Sequence, residues 1–267
     1  MATRIREDVL ERLEQGIAQL TTSEAWIDYL HVQARFYRYS PNNCMLIQLQ
    51  MPDASRVAGY GRWRDLGRQV RKGEKGIAIL APCIYKSDDE PEAERAVRGF
   101  RTAHVFDVSQ TEGEPLAELP ISRLSGEAPA VMDALTSYAE SLGYAVTFGT
   151  FACASKNGQT SFLTHTVTLR EDLSPSQTVK TMCHELGHIL LEHLSCDSRS
   201  LAETEAESVA FVICDALGID SGAYSFAYLA TWNDGSEDAV ARIKASALRI
   251  QQAARQVLTA LDEGDAE

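Results

Sequence analysis

Apolar residues at Val9, Leu10, Leu13, Ile17 and Leu20 recur at three- and four-residue intervals, the spacing of one face of an α-helix. A second helical run holds Trp26, Tyr29, Leu30 and Phe36 behind a capping Ser23. A third follows Ser40-Pro41 with Met45, Leu46, Ile47 and Leu49 until Pro52 stops it. The pattern then shortens to extended runs around Val70, Gly76–Leu80 and Ala103–Phe106, joined by an acidic tip at Ser87-Asp88-Asp89-Glu90-Pro91. From Ser109 to Pro129 the periodicity fades among Gly113, Pro115, Pro120 and Gly126, which predicts a linker. Beyond it the pattern predicts a helix over Ala130–Leu142, strands at Tyr144–Phe148 and Thr164–Leu169, a helix opening at Ser174, another beginning near Leu201, and a last one over Glu237–Leu261. The fold class is therefore α+β. A small amino-terminal α+β domain takes residues 1–108, a linker residues 109–129, and a second domain residues 130–267.

The helix that opens at Ser174-Pro175-Ser176-Gln177, a capping box with proline at its first position, carries Val179, Met182, Leu186, Ile189 and Leu190 on its apolar stripe. Within it stands His184-Glu185-Leu186-Gly187-His188, an HExxH pattern. Four residues advance a helix by about 40° net, so the two imidazoles leave one face a turn apart and can share one ion. Glu185 then lies beside the ion, placed to take a proton from water acidified to a pKa of roughly 7. A catalytic site of this kind needs a third protein ligand. The form with glycine at position 191 and histidine at 194 is absent, because Leu191 and Leu194 stand there, and a continuing helix would put His193 about 140° away from His188. On the next helix Glu203 and Glu207 share a face, which makes Glu203 the third ligand and Glu207 a carboxylate that accepts the other ring N–H of a ligating histidine. Glu205, roughly 160–200° away, reads as a solvated charge. Two blander readings compete: a pair of histidines hydrogen-bonded on an ordinary core helix, and an acidic helix start that merely suits the macrodipole.

Length and composition limit the classes. The 267 residues, 45% of them hydrophobic, suffice for one large or two ordinary cores, and no apolar run approaches 18 residues, so the chain is expected to be soluble, cytoplasmic and without membrane contact. Six cysteines (Cys44, Cys83, Cys153, Cys183, Cys196, Cys214) show no CxxC pair, which favours reduced thiols; Cys183, beside His184, reads as packing, with a reactive thiol as the other option. The net charge of −13 is uneven: residues 1–125 hold 17 Lys+Arg against 18 Asp+Glu, whereas residues 126–267 hold 8 against 20. Between Arg56 and Lys75 the local balance is +5.

That basic stretch interleaves with aromatics. Tyr37, Tyr39, Tyr60 and Trp63 alternate with arginines, the combination that stacks bases and pairs phosphates of single-stranded nucleic acid. Arg62, Trp63, Arg64, Arg71, Lys72 and Lys75 are the candidate contacts, while the competing reading makes the aromatics core and Gly67, Gly73 and Gly76 turn residues. Tyr224, Phe226, Tyr228 and Trp232 pose the same choice between core and a substrate cleft.

The run Tyr39-Ser40-Pro41-Asn42-Asn43, then Val57-Ala58-Gly59-Tyr60, Trp63, Leu66 through Gly76, and Ile79-Leu80-Ala81-Pro82 resembles the amino-terminal domain of ArdC-type antirestriction proteins over roughly residues 5–110. The later half, with His184 to His188 and Glu203-Thr204-Glu205-Ala206-Glu207, is similar to the zincin domain of that family and to ImmA/IrrE-type metallopeptidases. The resemblance implies single-stranded DNA binding by the first domain. For the second it implies a Zn2+ site, or one for another divalent ion, held by His184, His188 and Glu203, with Glu185 as general base acting on a protein or peptide substrate. Two alternatives stay open: a module that protects DNA by occupancy around a structural or vestigial metal, and a regulatory protease that cleaves a repressor.

Overall fold

A computed structural model describes residues 7–20, 22–85, 96–116, 128–153, 155–196, 198–220, 226 and 239–264. The described residues up to 50 include α1 (Glu7–Ala18), α2 (Ser23–Arg35) and α3 (Pro41–Gln50). Thr22, not Ser23, caps α2 by accepting from the backbone N–H of Ala25, and Ser40 caps α3 with Pro41 at its first turn. Short β1 (Val57–Ala58), α4 (Tyr60–Asp65) and β2 (Arg68–Val70) precede the long hairpin of β3 (Ile77–Tyr85) and β4 (Ala96–Asp107), and β5 (Thr111–Gly113) follows a 3-10 turn. The acidic tip at 87–91 lies outside the described residues.

The chain divides into two units whose sequence ranges interleave: Met1–Gln19 with Tyr39–Ala117, and Leu20–Arg38 with Glu118–Glu267. The first unit therefore runs past residue 108 and does not hold Leu20–Arg38. Its amphipathic second helix is claimed by the other core: Trp26 is fully buried and its Nε1 donates to Ser208 Oγ at 3.0 Å, while Gln33 Nε2 donates to the carbonyl of Ala247. Nor is 109–113 a linker. β5 pairs antiparallel with β2, and Arg68 fastens it by donating to Thr111 Oγ1 at 2.8 Å and to the carbonyl of Gly113.

In the first unit, β4 stands between β1 and β3, all antiparallel. α3 lies against β3, and two of its amides serve that strand's outer edge. Asn43 accepts from the N–H of Leu80 and donates to its carbonyl at 2.8 and 2.9 Å, and Gln50 does the same to Ala78 at 2.9 and 2.9 Å. Asp107, 1% exposed, accepts the N–H groups of Ser55, Arg56 and Ser109, which hold its carboxyl below the usual range against the opposing effect of burial.

The second unit adds α5 (Ala128–Ser141), β6 (Ala145–Gly149), β7 (Gly158–Ser161), β8 (Thr166–Arg170), α6 (Pro175–Leu190), α7 (Arg199–Ala216) and α8 (Ala239–Gly264). β8 is central, parallel to β6 and antiparallel to β7. Fully buried Val179, Met182 and Leu186 of α6, Val209 and Ile213 of α7, and Ile250 and Val257 of α8 form the core. Tyr224, Tyr228 and Trp232 lie outside the described residues, and Phe226 is buried beside Phe211. Among the described residues no helix is long and apolar enough to cross a membrane.

Candidate metal centre and nucleic-acid surface

Ser174 accepts from the N–H of Gln177 and starts α6 with Pro175 in its first turn, which sets the phase that carries His184 and His188 one turn apart on a single face. Ser198 starts α7 in the same way. The two helices meet at Gly187, where an added Cβ would stand 3.0 Å from Ala206 Cα, tighter than ordinary contact and against backbone. Glycine in the pattern is thus what lets α7 come close enough for Glu203 to reach the histidines.

The reach is complete. His184 Nε2 and His188 Nε2 are 3.0 Å apart, and Glu203 Oε2 lies 3.3 Å from the first and 3.8 Å from the second. A tetrahedral ion with bonds of 2.0–2.1 Å separates its ligands by about 3.3–3.4 Å, so this triangle has the right size and the right donor chemistry. Of the described residues, His184, His188 and Glu203 are the group that brings three such donors together. Burial works against a charge on His184, but its contacts with Glu203 and Glu207 outweigh that and push it up to about 9. Hydrogen bonds from His184 and His188 hold Glu203 far below the ordinary carboxylate range.

Each imidazole is also gripped from behind. His184 Nδ1 lies 3.2 Å from Glu207 Oε2, and Glu207 Oε1 pairs with Lys180 Nζ at 3.1 Å. Burial raises the Glu207 carboxyl, but His184 and Lys180 bring it below its usual value. His188 Nδ1 lies 2.9 Å from Nδ1 of His193, whose Nε2 lies 3.1 Å from Glu205 Oε2.

This arrangement corrects two sequence-based expectations. His193 does not continue the helix, because α6 ends at Leu190 and Glu192 takes a left-handed conformation (φ 53°) that turns the chain back over His188. Glu205 is no solvated charge. It is 2% exposed, because the rear of α7 faces α8 rather than water, and it also accepts from Ser246 Oγ at 2.7 Å and Arg249 Nε at 3.2 Å. Burial raises its carboxyl, yet these partners keep it below the ordinary range.

Glu185, 6% exposed, accepts a 2.6 Å hydrogen bond on Oε2 from Thr160 Oγ1 of β7. β7 runs so close to α6 that a Cβ on Gly158 would sit 2.6 Å from Thr181 Cγ2 and 2.7 Å from Glu185 Oε1. Sequence pattern does not announce this edge strand, since Gly158-Gln159-Thr160-Ser161 has no apolar alternation. A cavity of about 890 Å³ opens beside it, lined by Gly158, Thr160, Glu185 and the three metal-ligand candidates among others. Cys183 is fully buried and its thiol is pushed well up by burial and by Cys214, so it packs rather than reacts.

In the first unit the basic candidates separate by environment. Arg62, Arg64, Lys72 and Lys75 are exposed. Arg71 bridges Glu74 at 2.7 Å and donates to the carbonyl of Ser109 at 2.6 Å, so its fork is spent on holding the turn. Trp63 does not offer a stacking face: it is 2% exposed and its Nε1 donates to the carbonyl of Phe106 at 2.8 Å. Its place on the inner side of short α4 overrides the basic residues that flank it. Tyr60, 52% exposed, stands edge-on to Phe106 and is the accessible aromatic of that segment. Tyr37 is buried in the second unit, and Tyr39 donates to the carbonyl of Val57.

Residues 1–108 match the family model described as the N-terminal domain of anti-restriction factor ArdC. An uncharacterized protein of Bacillus anthracis, pXO2-81, is 22% identical over 311 residues, covering 97% of this chain and 52% of that protein, so the chain spans about half the length of that relative. Crystal structures of the antirestriction ArdC protein from plasmid R388 are similar in fold at 18% identity. The metal-free form gives a TM-score of 0.51 over 85% of each chain, and the Mn(II)-bound form 0.50 over 90% of this chain and 98% of that one.

Proposed function

We propose that this is an antirestriction-type protein whose first unit binds single-stranded DNA and whose second unit is a divalent-metal peptidase. The observation that carries the second half is the convergence of His184, His188 and Glu203 beside a carboxylate, Glu185, that belongs to none of the three ligand positions. His184, His188 and Glu203 would hold a divalent ion, which when bound would acidify water and polarise an amide carbonyl. Glu185 then accepts the proton of the attacking water and returns it to the departing amine. Thr160 donates to one oxygen of that carboxylate, and both residues line the cavity. The ArdC protein of R388 has been solved both metal-free and with Mn(II), which supports a site that exchanges its ion, and two imidazoles with one carboxylate suit Zn2+ as well as Mn2+.

The DNA half rests on the match of residues 1–108 to the ArdC amino-terminal domain and on the exposed Arg62, Arg64, Lys72 and Lys75. One experiment addresses both halves: elemental analysis of the purified chain with single-strand and duplex gel shifts, followed by the same measurements and a peptide-hydrolysis assay on Glu185→Gln. The variant is expected to keep the ion and the DNA shift and to lose hydrolysis. Retained hydrolysis excludes Glu185 as the base. Undiminished protection of DNA by Glu185→Gln would make occupancy, rather than cleavage, the protective act.

A further inference from the structure

We propose that His193 and Glu205 are positioning residues for His188, forming a second imidazole-to-carboxylate support that links the metal centre to α8; this rests on the metal site put forward above. With a divalent ion in place, one proton arrangement follows along the chain. His188 turns Nε2 toward His184 and Glu203, so that nitrogen would give its lone pair to the ion and leave the hydrogen on Nδ1. Its Nδ1–H then donates to His193 Nδ1, 2.9 Å away, which obliges His193 to hold its own hydrogen on Nε2. That hydrogen points at Glu205 Oε2, 3.1 Å away, and the carboxylate, which has no proton of its own, accepts it.

The site is built rather than incidental. The side chains of His193 and Glu205 are 3% and 2% exposed, and the carboxylate also accepts from Ser246 Oγ on Oε1 and from Arg249 Nε on Oε2. Arg249 also donates to the carbonyl of Leu191 at 2.8 Å, so one guanidinium holds both the carboxylate and the end of the metal-binding helix. Glu192 keeps a left-handed backbone to bring His193 back, a conformation that is strained for a residue other than glycine and needs a compensating contact. The two ligand histidines are thus supported unequally. His184 meets its carboxylate, Glu207, directly, whereas His188 meets Glu205 through an intervening ring.

The test uses the full chain and Zn2+ itself. Competitive chelator titration of the parent first establishes uptake of the ion, and a parent that takes up none overturns the metal-site reading before any variant is made. With uptake established, His193→Leu fills the space but cannot accept from His188, and is expected to weaken Zn2+ binding by about 10–100-fold. His193→Gln can accept on its carbonyl and donate to Glu205 from its amide, and is expected to restore affinity to within a few-fold of the parent. Equal affinity of His193→Leu and the parent, or equal losses for both variants, overturns the proposal. A second measurement needs no variant: nitrogen-15 NMR of the Zn2+-loaded parent should show hydrogen on Nδ1 of His188 and on Nε2 of His193. Hydrogen on Nδ1 of His193 overturns the proposal even if neither variant folds.

Discussion

Thr160 and Glu185 meet across the gap between β7 and α6 in a 2.6 Å hydrogen bond, the threonine donating to a carboxylate that is 6% exposed. Hydrogen bonds to charged groups contribute about 1.5–3 kcal/mol, so losing this one should cost roughly one to two orders of magnitude in a rate that depends on how Glu185 points. Thr160→Val preserves shape and strand propensity. It is expected to lower peptide hydrolysis by about 10–100-fold while leaving Zn2+ uptake unchanged, as read by parallel rate and metal titrations. A loss of metal instead would show that the threonine supports the ligands rather than the base.

Gly187→Ala tests the approach of α6 to α7. Alanine is worth about 1 kcal/mol more than glycine in a helix, but its methyl would meet the backbone of Ala206 at 3.0 Å. Overpacking of this sort costs about 1–3 kcal/mol, so the net outcome should be a lower urea midpoint together with weaker metal binding, because Glu203 is carried away from the histidines. An unchanged midpoint with intact metal affinity would contradict the argument.

For the first unit, charge and packing predict different phenotypes. Replacing Lys72 or Arg62 with Ala should weaken single-strand binding and reduce the slope of log affinity against log salt by about 0.7 for each phosphate that the side chain had neutralised. Trp63→Ala should instead unfold the unit, at about 3–5 kcal/mol for a buried large aromatic. Salt-titrated fluorescence anisotropy and thermal melting separate the two.

Alkaline pH probes Tyr37. Burial, reinforced by the hydrogen bond to Asp262, pushes its hydroxyl up from 10 to about 12, against the smaller opposing influence of Arg38. A folded-state value above the unfolded one means that the stabilisation is fully present below pH 10 and is lost as pH rises toward 12. Tyr37→Phe should therefore be less stable than the parent at neutral pH, with the difference shrinking between pH 10 and 12. Denaturant midpoints measured across that range, with tyrosinate absorbance alongside, give the comparison.

How much of the molecule is legible in its residues depends on how local the cause is. The caps at Ser174 and Ser40, the shared face of His184 and His188, and the pairing of Glu203 with Glu207 follow from spacing along one helix. The place of His193 does not, because a single left-handed residue at Glu192 ends the periodicity on which its angle depends. Glu205 escapes the same reasoning because helical spacing gives only a direction away from the metal site, and α8 rather than solvent lies in that direction. The allegiance of Leu20–Arg38 to the second unit is a matter of which core offers Trp26 a partner, and an amphipathic stripe records only that some core is needed.

The amides of Asn43 and Gln50 have a consequence for how the molecule keeps to itself. By answering the outward N–H and C=O of Ala78 and Leu80, they occupy the positions where a neighbouring molecule's strand would add to the border of the β1-β4-β3 sheet. Two side chains from a single helix thus act as a false strand, and growth of that sheet into a continuous intermolecular array is blocked along this stretch.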